Sequence, residues 1–346
     1  MFLKIKSKIE SELQSYIGSI NKNYQLSTLS PLLYSSIKEF ISRDGKRVRP
    51  ILFCIGYLGF ANKPALGLYR CAISLELLHD FMLVHDDIVD KSATRRGKPS
   101  MHAMLNRRVL GLRNIKFSGN DLAIVIGDVM YAMALDAFLA VKEKPKYKEL
   151  ALKKLISAAL YTGSGEFIEL LLGAKPIALV TKKDIYKIYD HKTANYTFAS
   201  PLTMGAVLAG AKNKEVAKLF EYGMCLGRAF QIKDDIIGTF GDSKKIGKSN
   251  LTDLQEAKRT LLIWYAYNYA GPAAKTMINK VFSGRNIKIA DLNQIRKIII
   301  TSGSLNYAKN EIKRLFKKSE NILKLCRMRK CYRQALINFS KKTLSV

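Results

Sequence analysis

The chain has 346 residues, a formal net charge of +30, eight scattered prolines and five cysteines. That length holds a sizeable core, and an odd cysteine count with no CxxC pair excludes a disulfide framework and suits free thiols in a reducing, cytoplasmic setting. A surface this basic draws polyanions, whether diphosphates, nucleic acid or an anionic membrane face; no nucleic-acid motif accompanies the charge, so nucleic acid is not favoured.

Residues 1 to 40 carry two amphipathic helical patterns. The first, MFLKIKSKIESELQSY, lacks the unbroken apolar core of a signal peptide. The second starts after Ser30-Pro31, where proline suits a first helical turn. A polar loop, Asp44 to Pro50, then leads into an apolar helix from Ile51 to Phe60. Its cations Lys46, Arg47 and Arg49 at a helix start can grip an anion through charge and backbone N–H groups. A solvent-facing basic loop is the alternative.

From Leu75 to Asp90 the apolar residues Leu75, Leu78, Met82 and Leu83 recur at three- and four-residue spacing, which predicts a largely buried helix. Asp86 and Asp90 stack one turn apart on it with Asp87 alongside. Like charges four residues apart cost about 0.2–0.5 kcal/mol per pair, and burial adds to that. A hard cation such as Mg2+, taking carboxylate oxygens and bridging them to phosphate, relieves the cost. Arg95 and Arg96 follow, with forked donors that match phosphate oxygens. Asn106 to Gly119 reads as a basic loop without an assigned role. The apolar stretch Leu122 to Val141 is interrupted by Asp128 and Asp136, so no membrane span is expected.

A second acidic pair, Asp234-Asp235 in FQIKDDIIGTFGD, again follows an apolar helical run, with Asp242 beyond it. Only 28 acidic residues occur in the chain, yet two Asp-Asp pairs end two apolar helices. Two such clusters facing each other would clamp several Mg2+ ions around one diphosphate. From residue 262 onward the chain is helical and basic. Lys313 to Lys330 alternates cations with Leu315, Phe316, Ile322, Leu323 and Leu325, as in a helix with one solvated basic face; peripheral contact with anionic lipid is the other reading.

The two aspartate motifs, together with GKRVRP (Gly45 to Pro50), RRGKP (Arg95 to Pro99) and KTA (Lys192 to Ala194), resemble the trans-isoprenyl diphosphate synthases. The resemblance runs from about residue 40 to about residue 315 in the family's order. It implies one all-α domain over residues 1–346, a bundle of ten or more helices around a deep central cavity, the isoprenoid synthase fold. The residues 313–346 form its basic C-terminal segment. The implied reaction is Mg2+-dependent head-to-tail condensation of isopentenyl diphosphate with dimethylallyl, geranyl or farnesyl diphosphate, in a homodimer.

By resemblance, Asp86, Asp87, Asp90, Asp234 and Asp235 hold the metal, with three ions expected, and act in catalysis with Lys192. Gly45, Lys46, Arg49, His79 and Arg96 take the isopentenyl diphosphate. Arg95, Lys192, Thr193 and Gln231 serve the allylic side, Lys248 is a further diphosphate lysine, and Lys258 is a further substrate-binding position also readable as a surface charge. Glu166 and Glu169 stand where the family has Gln and Asp, and Lys233 follows the second cluster. Phe230 offers a ring face to the allylic cation.

For product length the resemblance points to Phe81, five residues before Asp86. Helical geometry places Met82, then Leu78, below Asp86. This pattern resembles the archaeal-type geranylgeranyl diphosphate synthases, which implies a C20 product, with farnesyl diphosphate (C15) as alternative. A terpene cyclase would not need the isopentenyl pocket or the second cluster. A non-enzymatic RNA- or membrane-binding protein would leave both clusters without a purpose.

Overall fold

A computed structural model describes residues 1–241, 252–284 and 287–344. Helices dominate: α1 (Phe2–Tyr24), α2 (Leu26–Leu29), α3 (Pro31–Ile41), α4 (Val48–Leu58), α5 (Leu68–Val89), α6 (Met101–Val109), α7 (Gly119–Leu139) and α8 (Pro145–Ala174) come first. Then follow α9 (Lys182–Ile188), a π-helical stretch Tyr189–Ala199, α10 (Ser200–Leu208) and α11 (Asn213–Phe240). The rest are α12 (Thr252–Gln255), α13 (Leu261–Tyr269), α14 (Pro272–Ser283), α15 (Ile289–Thr301), α16 (Ser304–Lys324) and α17 (Lys330–Leu344). Among the described residues the extended structure is one antiparallel hairpin, β1 (Thr94–Arg95) with β2 (Lys98–Pro99). The chain is all-α.

Two compact units divide the chain: Met1–Leu155 with Met204–Gly210, and Ile156–Thr203 with Ala211–Val346. Two of the three divisions fall inside the continuous helices α8 and α10, and the third lies in the short connection from α10 to α11.

In the first unit α3 begins as its sequence dictates, with Ser30 as N-cap accepting from Leu33 N at 3.2 Å and Pro31 at the first helical position. Helix α4 is apolar all round, and Pro50 to Leu58 is buried without a break, as expected of a helix surrounded by others. Helix α5 is likewise buried on most sides, and packs against α7, α4 and α1. On α7, Asp136 accepts a 3.0 Å hydrogen bond from the buried Tyr16 hydroxyl, which satisfies a carboxylate in an otherwise apolar helix.

Helices α7 and α8 are long and apolar enough to cross a bilayer by length and composition; the apolar windows are 44% and 22% buried in the fold. Core helices meet the same length and composition, so the expectation that α7, with Asp128 and Asp136 in its apolar stretch, does not span a membrane is not overturned. Asp136 allows a core role, through Tyr16.

In the second unit α11 packs against both the π-helical stretch and α16. Gly223 and Gly227, one turn apart on α11, make that approach possible. A Cβ on Gly223 would lie 2.5 Å from Ala199 Cα, and one on Gly227 would lie 2.3 Å from Ala194 Cα. Helix α16 has the expected amphipathic form, with Leu315 and Leu323 buried and Lys313, Lys317, Lys318 and Lys324 exposed.

Candidate active site

Helix α5 sets the geometry of the first unit's site. Asp86 and Asp87 occupy its last turn and Asp90 is its C-cap. Asp87 is fully buried; Arg95 Nε donates to its Oδ1 at 2.8 Å, while Oδ2 has no hydrogen-bond partner. Burial raises the Asp87 carboxyl above its usual range, against the lowering effect of Arg95. The β1–β2 hairpin delivers Arg95 and Arg96. Arg96, at a left-handed φ of 55°, turns its Nη2 to within 3.3 Å of both Glu76 Oε1 and Asp80 Oδ1.

Glu76 and Asp80 lie on α5 at helical spacing ahead of Asp87, and sequence reasoning passed over both. Their signal was present: two further acids, at i and i+4, inside an apolar helix. Asp80 is buried, and that burial, with Glu76 next to it, pushes its carboxyl up to about 7. His79 moves the other way. Burial, then Arg49, Arg96, Arg95 and Arg47, holds its imidazole well below the ordinary range, so it is neutral.

The basic loop divides its cations. Lys46 is exposed and Arg49 half-buried at the start of α4, but Arg47 is turned inward at a left-handed φ of 48°. Its guanidinium donates to Glu76 Oε1 at 2.6 Å, Glu10 Oε1 at 2.9 Å, Arg43 O at 2.7 Å and Ile41 O at 3.2 Å. The expectation of three available cations is corrected to two. The i, i+1 alternation of a non-helical segment sends neighbours to opposite sides, and the buried carboxylates claim Arg47. Arg43, also buried, donates to Arg95 O at 3.3 Å and Pro99 O at 2.9 Å, which ties this loop to the hairpin. Gly45 is half-buried beside Arg47, its Cβ position 3.2 Å from Arg47 Nη1.

Below the aspartates, Phe81 packs its ring on His85 (4.7 Å between centroids) and on Tyr131 of α7 (5.3 Å). Met82 and Leu78 are buried. Tyr131 is a partner that one sequence could not supply, since it comes from another helix. The place for the His85 ring is made by Gly127, whose Cβ would lie 2.5 Å from His85 Nε2. Asp128 Oδ1 is 3.8 Å from the same nitrogen.

In the second unit a pocket of about 160 Å3 is lined by Lys192, Thr193, Gln231, Asp234, Asp235 and Lys258, and by Glu169, Ile188, Tyr189, Arg259 and Thr260. Seven residues singled out in the sequence, Glu169 among them, spread over 90 positions from 169 to 258, thus meet in one cavity. A π-helical turn, wider than an α-turn and frequent at functional sites, presents His191-Lys192-Thr193 to α11. Thr193 Oγ1 donates to Gln231 Oε1 at 2.6 Å, and Gln231 Nε2 donates to Asp235 Oδ1 at 2.9 Å. The other Asp235 oxygen accepts from the buried Tyr189 hydroxyl, which burial and Asp235 hold far above its usual range and so protonated. Leu261 N donates to Tyr189 Oη at 2.9 Å.

Lys192 Nζ is paired with both Glu166 and Glu169. Glu166 therefore gives the lysine a second carboxylate beside Glu169. Lys258 pairs with Glu256 at 2.5 Å within the same cavity wall rather than standing alone on the surface. Arg259 is a further cation that the sequence reading missed: it is buried, donates to Gly173 O (2.9 Å) and Lys175 O (2.7 Å), and keeps Nε and Nη1 without a hydrogen bond. Phe230 lies at 5.3 Å from Phe198. Lys233 Nζ donates to Thr343 O at 2.9 Å, which fastens α17 to α11. Lys248 and Asp242 lie outside the described residues.

Residues 30–299 match the polyprenyl synthetase family model. A geranylgeranyl diphosphate synthase of Saccharolobus solfataricus is 30% identical over 310 residues, covering 86% of this chain and 85% of that protein. A geranylfarnesyl diphosphate synthase of Aeropyrum pernix is 32% identical over 288 residues, covering 82% and 84%. Among solved structures, the geranylgeranyl pyrophosphate synthetase of Pyrococcus horikoshii superposes with a TM-score of 0.82 at 26% identity, over 100% of this chain and 98% of that one. With motifs, fold and pocket in agreement, the chain belongs to the polyprenyl synthetase family of prenyltransferases.

Proposed function

We propose that this chain, acting as one synthase domain in the cytoplasm, joins isopentenyl diphosphate to an allylic diphosphate in a Mg2+-dependent reaction and releases geranylgeranyl diphosphate. The observation that carries the reading is the second-unit pocket, in which lysines, an amide and carboxylates at the family's motif positions line one cavity. Relatives of similar identity bear names for C20 and C25 products, so the C20 assignment rests on Phe81 rather than on identity.

The donor atoms suit the metal. Asp86, Asp87 and Asp90 in the first unit, and Asp234 and Asp235 in the second, offer only hard carboxylate oxygens, and Asp87 Oδ2 is a buried oxygen with no hydrogen bond. Bound there, Mg2+ supplies charge neutralisation for a diphosphate leaving group. Lys192, its direction fixed by Glu166 and Glu169, gives the pocket a cation for the allylic diphosphate, and Lys258 a second. Lys46, Arg49 and neutral His79, which can donate one N–H without adding charge, take the isopentenyl diphosphate. Arg95 orients Asp87 and Arg96 is held by Glu76 and Asp80, so both start from fixed positions.

The allylic C–O bond breaks to leave a carbocation and diphosphate, the isopentenyl double bond attacks, and one proton leaves to restore an alkene. Apolar walls such as Phe81, Met82 and Leu78 keep water from the cation. Asp234→Asn, folded by circular dichroism, is expected to lower incorporation of labelled isopentenyl diphosphate by on the order of 10²-fold; full activity in that variant would remove Asp234 from the reaction.

We further propose a homodimer. Helices α7 and α8 expose Ile124, Val125, Leu139, Leu150, Leu160 and Leu171, an apolar load unusual for a free surface. Light scattering is expected to give a mass near twice 38.9 kDa; a mass of one chain would contradict it.

A further inference from the structure

The connection from α6 to α7 holds none of the residues placed in the reaction. Every residue from Leu110 to Ser118 is exposed. Four of them are large and apolar: Leu110 is 80% exposed, Leu112 55%, Phe117 42% and Ile115 38%. Around them stand exposed Arg107, Arg108, Arg113 and Lys116, and no Asp or Glu occurs between Asp90 and Asp121. The base of the loop is fixed. Gly119 N donates to Asn106 Oδ1 at 2.7 Å, Ser118 N to Asp121 Oδ2 at 2.7 Å, and Arg108 Nη1 to Ser36 Oγ at 2.9 Å.

We infer that this loop seats the protein on an anionic lipid surface, with Leu112, Ile115 and Phe117 inserted among the acyl chains and Arg113 and Lys116 against the headgroup phosphates. Aliphatic side chains interleaved with cations are the composition of an interfacial segment, where buried apolar area adds to attraction for anionic lipid. Nucleic acid would instead call for stacking platforms, and three of the four apolar side chains here have no ring. The basic helix α16 is more poorly equipped, because Leu315 and Leu323 are buried and its cations have a single large exposed apolar neighbour, Leu325 at the C-cap. The contact is separable from the reaction, since vesicle binding is read without turnover.

The test is co-sedimentation of the full chain with vesicles of phosphatidylcholine alone and of phosphatidylcholine with phosphatidylserine, at low and high salt. The parent is expected to bind the anionic vesicles and to be released by salt. The double variant Leu112→Ser/Phe117→Ser should bind at least about tenfold more weakly, and Arg113→Gln and Lys116→Gln about fivefold each. Phe117→Trp, which keeps the loop apolar, should shift its emission to the blue on anionic vesicles only. Equal binding by parent and double variant, or no shift at Trp, would overturn the inference. So would a change of mass in the double variant, which would assign the loop to contact with a second copy. Binding of an RNA homopolymer that the same variants abolish, without vesicle binding, would assign it to nucleic acid.

Discussion

Asp80 is a carboxyl placed where ionisation is unfavourable: buried in α5, one turn from Glu76, with Arg96 as its nearest cation. Its folded pKa of about 7 lies above the ordinary 3.8. Between those values the folded chain keeps a proton that the unfolded chain has released. Stability from this group is therefore present at low pH and lost as pH rises through about 7. Asp80→Asn removes the titration, so its melting temperature should gain on the parent between pH 5 and pH 8. A gain on the order of 1 kcal/mol is expected; a difference that does not change with pH would contradict the assignment.

Phe81 is the residue on which product length turns. Its ring meets Tyr131 and His85, so Phe81→Ser opens space beside Met82 and Leu78 without disturbing Asp86 a turn and more away. Products longer than the parent's are expected on dephosphorylation and chromatography. Unchanged length would remove Phe81 as the determinant.

At the scale of elements, the π-helical stretch and α11 form the part of the site most sensitive to packing. Gly227 carries the closest approach, with Ala194 Cα only 2.3 Å from where a Cβ would be. Gly227→Ala must push the two segments apart, at a cost of about 1–3 kcal/mol. It should also loosen the chain of hydrogen bonds from Thr193 through Gln231 to Asp235. A lower melting temperature together with a raised Michaelis constant for the allylic substrate is expected; parent-like values for both would show that the seam has room.

The same elements mark how far the sequence could be read. Helix α5 was legible because Leu75, Leu78, Met82 and Leu83 recur with helical period, and its aspartates because paired acids after an apolar run demand a counter-charge. The start of α3 was legible through Ser30-Pro31. The π-helical turn was not, since its sequence, YDHKTANYTFA, has no period that separates it from an α-helix. Nor was the inward turn of Arg47, which depends on Glu10 and Glu76 from two other helices. Arg259 and Tyr189 were missed for the same reason: their roles exist only through partners distant in sequence.

At the scale of the whole molecule, each compact unit contributes one acidic cluster, and 58 basic residues against 28 acidic ones surround them. A net charge of +30 favours capture of anionic substrates and lowers it with added salt. What the charge does not supply is selectivity, which falls to the oriented side chains: Lys192 between two glutamates, Arg95 on Asp87, neutral His79 among arginines.

The most direct measurement is a product assay with Mg2+, labelled isopentenyl diphosphate and each of dimethylallyl, geranyl and farnesyl diphosphate in turn, with chain length resolved after dephosphorylation. A dominant C20 alcohol that disappears on addition of a chelator is the predicted result. A folded chain that incorporates no label with any of the three starters would contradict the account.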